Sequence, residues 1–275
     1  MEERSIFING QIYRYLERKG KGPKLLFLHG LSDFSDQFLP ISKLLPLDWY
    51  LLALDQRGHG GSYKPTHEYA PKDYAKDIGA FLNLINFNSI HIFGHSMGGR
   101  NGLIFASLYP NRIQSLILGD IGPDKNLNDI KETTTFFNNL PDFFNTTLEA
   151  TKHFQKRKPD YSSENIKILL KNLKINKHGK LEWCFSKNAC VKSISEARSK
   201  DWWDLIPKVK CPVLLIHVNN SSELPNEIAF KMQKKISDIE YVKMKNSGHN
   251  FHLENPKMAS KAIVNFINNL YNNSF

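Results

Sequence analysis

Short apolar runs alternate with longer stretches of helical spacing along the first half of the chain. Residues 5–8 and 11–18 alternate apolar and polar positions around Asn9-Gly10, which predicts two strands joined by a tight turn. Lys24–Leu28 (KLLFL) and Trp49–Leu54 (WYLLAL) are largely apolar, read as buried strands, and end at His29-Gly30 and Asp55. Tyr74–Ile85 has helical spacing, Ser89–Phe93 (SIHIF) reads as a strand, and a helix runs on to Tyr109. Ile113–Leu118 (IQSLIL) is the next strand, ending at Gly119-Asp120. Strands separated by helices pair in parallel, because each return needs a crossover. Runs that are apolar on both faces suit a sheet covered on both sides. The rhythm returns late, with strands at Pro212–Val218 and Ile239–Met244 and a helix at 226–236. A last helix spans Pro256–Leu270, with Asn255 as its N-cap and Pro256 at its first position.

Between Pro123 and about Lys208 the rhythm breaks into helical or irregular sequence with no buried strand. A helical insertion after a sheet strand reads as a lid over the sheet's C-terminal edge, where open α/β sheets bind ligands. The expected organisation is one core, residues 1–123 and 209–275, with a helical cap at 124–208. A length of 275 residues allows one large domain or two small ones. At 41% hydrophobic and 23% charged residues the composition is globular, which excludes a mainly disordered, collagen-like or disulfide-scaffold chain. No run of about 18 apolar residues is present, so no transmembrane helix or stable membrane insertion is expected. The opening MEERSIFINGQIYRY lacks an apolar h-region, so no Sec-type signal is expected there. Cys184, Cys190 and Cys211 are odd in number and fall in no CxxC or Cys/His cluster. They read as reduced thiols of a cytoplasmic protein, in which the Asn-X-Ser/Thr triplets at Asn145, Asn219, Asn220 and Asn272 carry no meaning.

The net charge of +10 would suit a nucleic-acid or anionic-surface partner. Here the excess is Lys rather than Arg, is scattered among many Asn, and forms no basic stripe with interleaved aromatics. A compositional bias explains it better, and no nucleic-acid partner is expected. About two thirds of the excess falls in residues 125–210, so a cap that favours anionic substrates such as acyl-CoA is the one role the charge offers.

The strongest chemical signal is Gly94-His95-Ser96-Met97-Gly98-Gly99, a G-x-S-x-G between a predicted strand and a predicted helix. A tight strand-to-helix turn forces the serine into a strained conformation, which small neighbours permit, and exposes its hydroxyl at a helix N-terminus. Serine needs a base to act as a nucleophile. Of ten histidines, His249 lies in a loop after the last strand, preceded by Gly248, with His252 its competitor three residues on. His249 is the expected general base and acid. The oxyanion donors expected are the backbone N–H of Met97 and, from the loop after KLLFL, that of Leu31.

These segments together resemble the α/β-hydrolase superfamily over nearly the whole chain: LHGLSD (28–33), DQRGHGGS (55–62), GHSMGG (94–99), LILGDIGP (116–123), CPVLLI (211–216) and SGHNFHLENP (247–256). The resemblance implies an α/β-hydrolase fold with a mostly parallel eight-stranded sheet flanked by helices and an inserted helical cap. It also implies that Asp55 and Arg57 tie down their loop rather than react. Many members place the acid four residues before a proline after the strand matching CPVLLI. Here Ser221 stands at that place before Pro225, and a serine cannot carry the charge. Asp120 or Glu223 must then serve. Asp120 is favoured, because it directly follows an apolar strand and because Gly119 and Gly122 let the backbone turn. A branch of small esterase-like hydrolases also resembles this chain, pairing an Asp-Ile-Gly-Pro-like segment with Asn-Ser in place of the later Asp. Ser221 would then bond near Asp120. A serine at position 96 excludes the aspartyl-ester chemistry of dehalogenases and epoxide hydrolases of this fold.

Phe34, Phe38, Trp183, Trp202 and Phe251 are the candidates for an apolar substrate pocket, with Trp203, Phe136, Phe137 and Phe143 beside them. The leading function is a serine hydrolase of a small-molecule acyl substrate: an ester, lactone or thioester. A C–C bond hydrolase of diketones or ring-cleavage products uses the same residues, and a small-molecule receptor on the same fold is the third reading. No glycine loop matches G-x-G-x-x-G or a P-loop, and no metal or other cofactor is expected. A monomer or homodimer is expected.

Overall fold

Asn9 and Gly10 both take positive φ, 49° and 77°, the two-residue turn whose twist matches paired antiparallel strands. They join β1 (Glu2–Ile8) to β2 (Gln11–Arg18), with Ile8 opposite Gln11. The structure, a computed structural model, describes residues 1–272; the end of the expected core segment, residues 273–275, and with it the rest of the triplet at Asn272, lies outside the described residues. Four strands follow: β3 (Lys24–Leu28), β4 (Tyr50–Leu54), β5 (Ile90–His95) and β6 (Ile113–Gly119). The short β7 (Phe143–Phe144), β8 (Leu173–Ile175) and β9 (Leu181–Trp183) precede β10 (Val213–Val218) and β11 (Ile239–Met244). The helices are α1 (Leu39–Ser42), α2 (Pro71–Leu84), α3 (Met97–Leu108), α4 (Leu127–Asn139), α5 (Thr147–Arg157), α6 (Ser163–Leu170), α7 (Lys187–Arg198), α8 (Asn226–Lys235), α9 (Phe251–Glu254) and α10 (Pro256–Asn272).

Eight strands form one sheet in the order β1-β2-β4-β3-β5-β6-β10-β11. β2 pairs antiparallel with β1 and β4, and every other pairing is parallel. Alternate residues of the apolar strands feed two separate cores. Leu26, Leu28, Ile90, Ile92, Leu116 and Leu118 pack with α2 and α3 through Phe81, Leu82, Ile104 and Phe105. Leu25, Phe27, Phe93, Ile117, Leu214 and Ile216 pack on the other face with Ile41 of α1 and Ile263, Phe266 and Ile267 of α10. Because successive side chains serve opposite cores, each strand must be apolar at every buried position, which is the pattern of the last four residues of KLLFL and of YLLAL.

From β3 the chain moves one way to β4, then returns to β5 on the other side of β3. That reversal opens a crevice at the carboxyl ends of β3 and β5. The segment between β6 and β10 holds α4 to α7 and a three-stranded antiparallel sheet, β7-β9-β8. The expectation of no buried strand there overlooked this sheet. Its strands are two or three residues long and mostly not buried, too short for alternation to register. Helix α2 begins at Pro71, three residues before the expected Tyr74, because a proline at the first position is already set for a helix. Asn255 Oδ1 accepts from Met258 N at 3.2 Å, capping α10.

Candidate active site

Of residues 90–100, only Ser96 is not buried. It takes φ 51° and ψ −119° between β5 and α3, a conformation costly for any residue with a Cβ. Ser96 N donates to Gly119 O at 2.9 Å, and Arg100 N starts the helix by donating to Ser96 O at 3.1 Å. The glycines around it are there for space. A Cβ on Gly98 would lie 2.2 Å from Leu28 O. Gly98→Ala therefore forces the elbow away from β3. Stability should fall by roughly 1–3 kcal/mol, the usual scale of overpacking, read as a drop in Tm together with lost activity.

Met97 N, at the first position of α3, has no intrahelical acceptor. Neither it nor Leu31 N donates to any partner among the described residues, and both residues line one cavity with Ser96. Two free N–H groups beside a strained serine can hold a negative oxygen.

His249 lies between β11 and α9, in a loop closed by Gly248 N donating to a carboxylate oxygen of Glu254. Its Nδ1 is 2.7 Å from Asp120 Oδ2, and its side chain keeps 33% exposure at the cavity wall. Asp120 is fully buried and accepts three hydrogen bonds: His249 Nδ1, Ser221 Oγ at 2.8 Å and Val218 N at 3.2 Å. A hydrogen on Nδ1 leaves Nε2 as the nitrogen able to take a proton. Burial works against a charged His249, but the bond to Asp120 and the charges of Glu223, Asp120 and Asp33 outweigh it and raise its pKa above 6.5.

The structure brings Ser96, His249, Leu31, Met97 and Trp183 to one cavity of about 440 Å³. Asp120 stands behind His249, with Ser221 bonded to it. Glu223 also lines the cavity but is engaged by Arg198 Nη2. The sharp turn assigned to Gly119 and Gly122 is made by Asp120 itself, at φ 52°. Gly119 is instead needed for packing: a Cβ there would lie 3.0 Å from Phe251.

The pocket assignment needs correction at four of its five residues. Phe38 and Phe251 are fully buried in the core beside Phe93. Phe34 is buried at the start of the short turn Ser35–Phe38. Trp202 packs against the α2–α3 core and donates Nε1 to Ala197 O at 2.8 Å. None of the four lines the cavity. Its apolar wall comes from the insertion: Phe136, Phe137, Leu140, Phe154, Trp183 and Phe185.

His252, the competing histidine, is buried against Phe38 and His95, and burial lowers its pKa to about 3. Asp55 accepts from Ser35 N and Gly61 N at 2.7 and 2.8 Å, and Arg57 forks onto Asp77 with two bonds of 2.6 Å. Both therefore fasten the 55–62 loop. The sequence reading missed Asp33, Arg157 and Lys158, which line the cavity. Burial pushes the Asp33 carboxyl up to about 6, against the bond from Gln37 and the charges of Lys158 and His249. Asp33 closes the LHGLSD segment, where only the backbone of Leu31 was given a role, and the basic bias of the insertion was the one hint of Arg157 and Lys158.

The sequence profile of a family described as alpha/beta hydrolase fold matches residues 23–256. The chain is 28% identical over 261 residues to 2-(acetamidomethylene)succinate hydrolase of Mesorhizobium japonicum, covering 94% of this chain and 92% of that protein. It is 24% identical over 277 residues to a monoacylglycerol lipase of Homo sapiens, covering 94% and 80%. The crystal structure of E-2-(acetamidomethylene)succinate hydrolase superposes with a TM-score of 0.90 at 26% identity, over 97% of this chain and 99% of that one. Among the described residues, no helix is long and apolar enough to cross a membrane.

Proposed function

The chain belongs to the alpha/beta hydrolase fold family, and on that premise we propose that it is a serine hydrolase of carboxylic esters. The observation that carries the reading is the Asp120–His249 bond at 2.7 Å beside a strained serine in a shared cavity. Ser96 Oγ attacks the ester carbonyl and passes its proton to His249 Nε2. Asp120 holds the ring and balances the imidazolium. The N–H groups of Leu31 and Met97 hold the oxyanion. His249 returns the proton to the leaving alcohol, and the acyl group stays on Ser96. A water then attacks the acyl carbon and gives its proton to His249, which passes it to Ser96 Oγ as the Ser96–acyl bond breaks and the acid leaves. The inserted segment acts as a cap whose aromatic wall receives the apolar part of the substrate. Relatives named for hydrolysis of a substituted succinate and of monoacylglycerol support acyl chemistry. The three free cysteines support a reducing, cytoplasmic setting.

The test is hydrolysis of p-nitrophenyl butyrate across pH. We expect turnover, with an initial burst of nitrophenol if deacylation is slow. His249 acts as a base only when neutral, so kcat/KM should rise with pH through a midpoint above 6.5. Asp33 ionises in the same region, near 6, and its charge favours the imidazolium. Asp33→Asn should therefore move the midpoint down. A rate that is flat across pH 5–8 would sink the assignment of His249 as base.

A further inference from the structure

If the cavity binds an ester, its outer wall carries more positive charge than the chemistry at Ser96 uses. Four cationic side chains line it: Arg100, Arg157, Lys158 and Arg198. Arg198 is neutralised by Asp129, 2.8 Å from its Nε, and by Glu223 on Nη2. Arg100 is buried and donates to Gly122 O at 2.7 Å. Arg157 and Lys158, at the carboxyl end of α5, form no ion pair with a carboxylate among the described residues. Aromatic surfaces place them instead. The Arg157 guanidinium lies 4.1 Å from the Phe136 ring centre, and the Lys158 ammonium 5.4 Å from that of Tyr161. One turn back on α5, His153 lines the same wall, and its Nε2 is buried without a hydrogen-bond partner among the described residues. Phe136, His153 and Arg157 also border an outer groove between α4 and α5, so this wall separates the cavity from an opening to solvent.

We infer that Arg157 and Lys158 form an anion subsite that selects esters whose acyl part ends in a carboxylate. The inference rests on the ester-hydrolase reading above. The chain of the acyl group lies along Phe137, Phe154 and Trp183, with the scissile carbonyl at Ser96. The distal carboxylate meets Arg157 and Lys158, where charge-assisted bonds form in place of absent protein partners. His153 Nε2, when it carries the ring hydrogen, adds a neutral donor.

The experiment uses two substrates that differ only in charge: mono-(4-nitrophenyl) glutarate and its methyl ester. The wild type should prefer the acid by about 10- to 100-fold in kcat/KM, the scale of one or two charged hydrogen bonds. The R157Q/K158Q variant should lose most of that ratio, and R157K should keep part of it. Added salt should shrink the wild-type ratio, because the subsite borders solvent. A wild-type ratio near one overturns the inference, as does a ratio unchanged in a double variant of wild-type Tm. If neither ester is hydrolysed, the ester reading fails and binding decides the subsite. Glutarate should then raise the Tm of the wild type and not that of R157Q/K158Q; equal shifts, or none, overturn the subsite.

Discussion

Ser96→Ala should abolish ester turnover, lowering kcat by roughly 10⁴- to 10⁶-fold, while the protein keeps its fold. Removing a nucleophile costs this much because the base and the orienting acid have no other partner to act on. Alanine fits the site, since Ser96 Oγ makes no hydrogen bond among the described residues and its side chain faces the cavity. The positive φ strains alanine as it strains serine. The measurement is p-nitrophenyl butyrate hydrolysis beside covalent labelling by a fluorophosphonate. Wild-type protein should label at Ser96 and the variant should not. Labelling that persists in Ser96→Ala would place the nucleophile elsewhere.

Asp120→Asn should lower kcat by about 10⁴-fold, the size of effect seen when an orienting acid becomes an amide. Asp120 accepts from three donors at once, His249 Nδ1, Ser221 Oγ and Val218 N. An amide has one oxygen for those three, and its NH₂ must face a donor. The ring then turns or takes the other tautomer, and Nε2 no longer accepts a proton. The negative charge that raises the His249 pKa is lost as well, so any residual activity should show a midpoint shifted to lower pH. Ser221→Ala removes one donor and leaves the carboxylate, so its cost should stay near 10-fold or below. Glu223→Gln is the discriminating control. It loosens Arg198 at the cavity wall and leaves the Asp120–His249 bond in place. A loss at Glu223 that equals the loss at Asp120 would argue that the acid had been misassigned.

The sheet was legible because a strand serving two cores cannot hide its pattern. The four buried positions after Lys24 in KLLFL and after Tyr50 in YLLAL are all apolar, and the turn residues between strands mark the ends. Ser96 and His249 were legible for a similar reason: each sits in a short segment whose glycines have no other purpose. Asp120 and Glu223 stood as alternatives, because a carboxylate's partner is set by distant chain. What separates them is Arg198, which engages Glu223 from the end of α7, while Val218 and Ser221 collect around Asp120. The pocket was legible only in part: Trp183, Phe136 and Phe137 line the cavity as expected. Phe34, Phe38 and Phe251 are close in sequence to reactive residues, yet their bulk is spent on the core. The true lining comes from α4, α5, β9 and α7, whose inward positions obey the geometry of the insertion and not any local period.

The two ends of that insertion are fastened to each other. Trp202 N donates to Pro123 O at 2.8 Å, Asn126 N to Arg198 O at 3.0 Å, and Trp203 Nε1 to Asp124 Oδ1 at 3.0 Å. The excursion between β6 and β10 therefore leaves and rejoins the sheet through one narrow neck. Doubling the length of a loop whose ends already meet costs only about 0.6 kcal/mol of closure entropy. Such a segment behaves as an exchangeable cassette. Its length can change at little cost to the sheet, because Ser96, Asp120 and His249 all lie outside it.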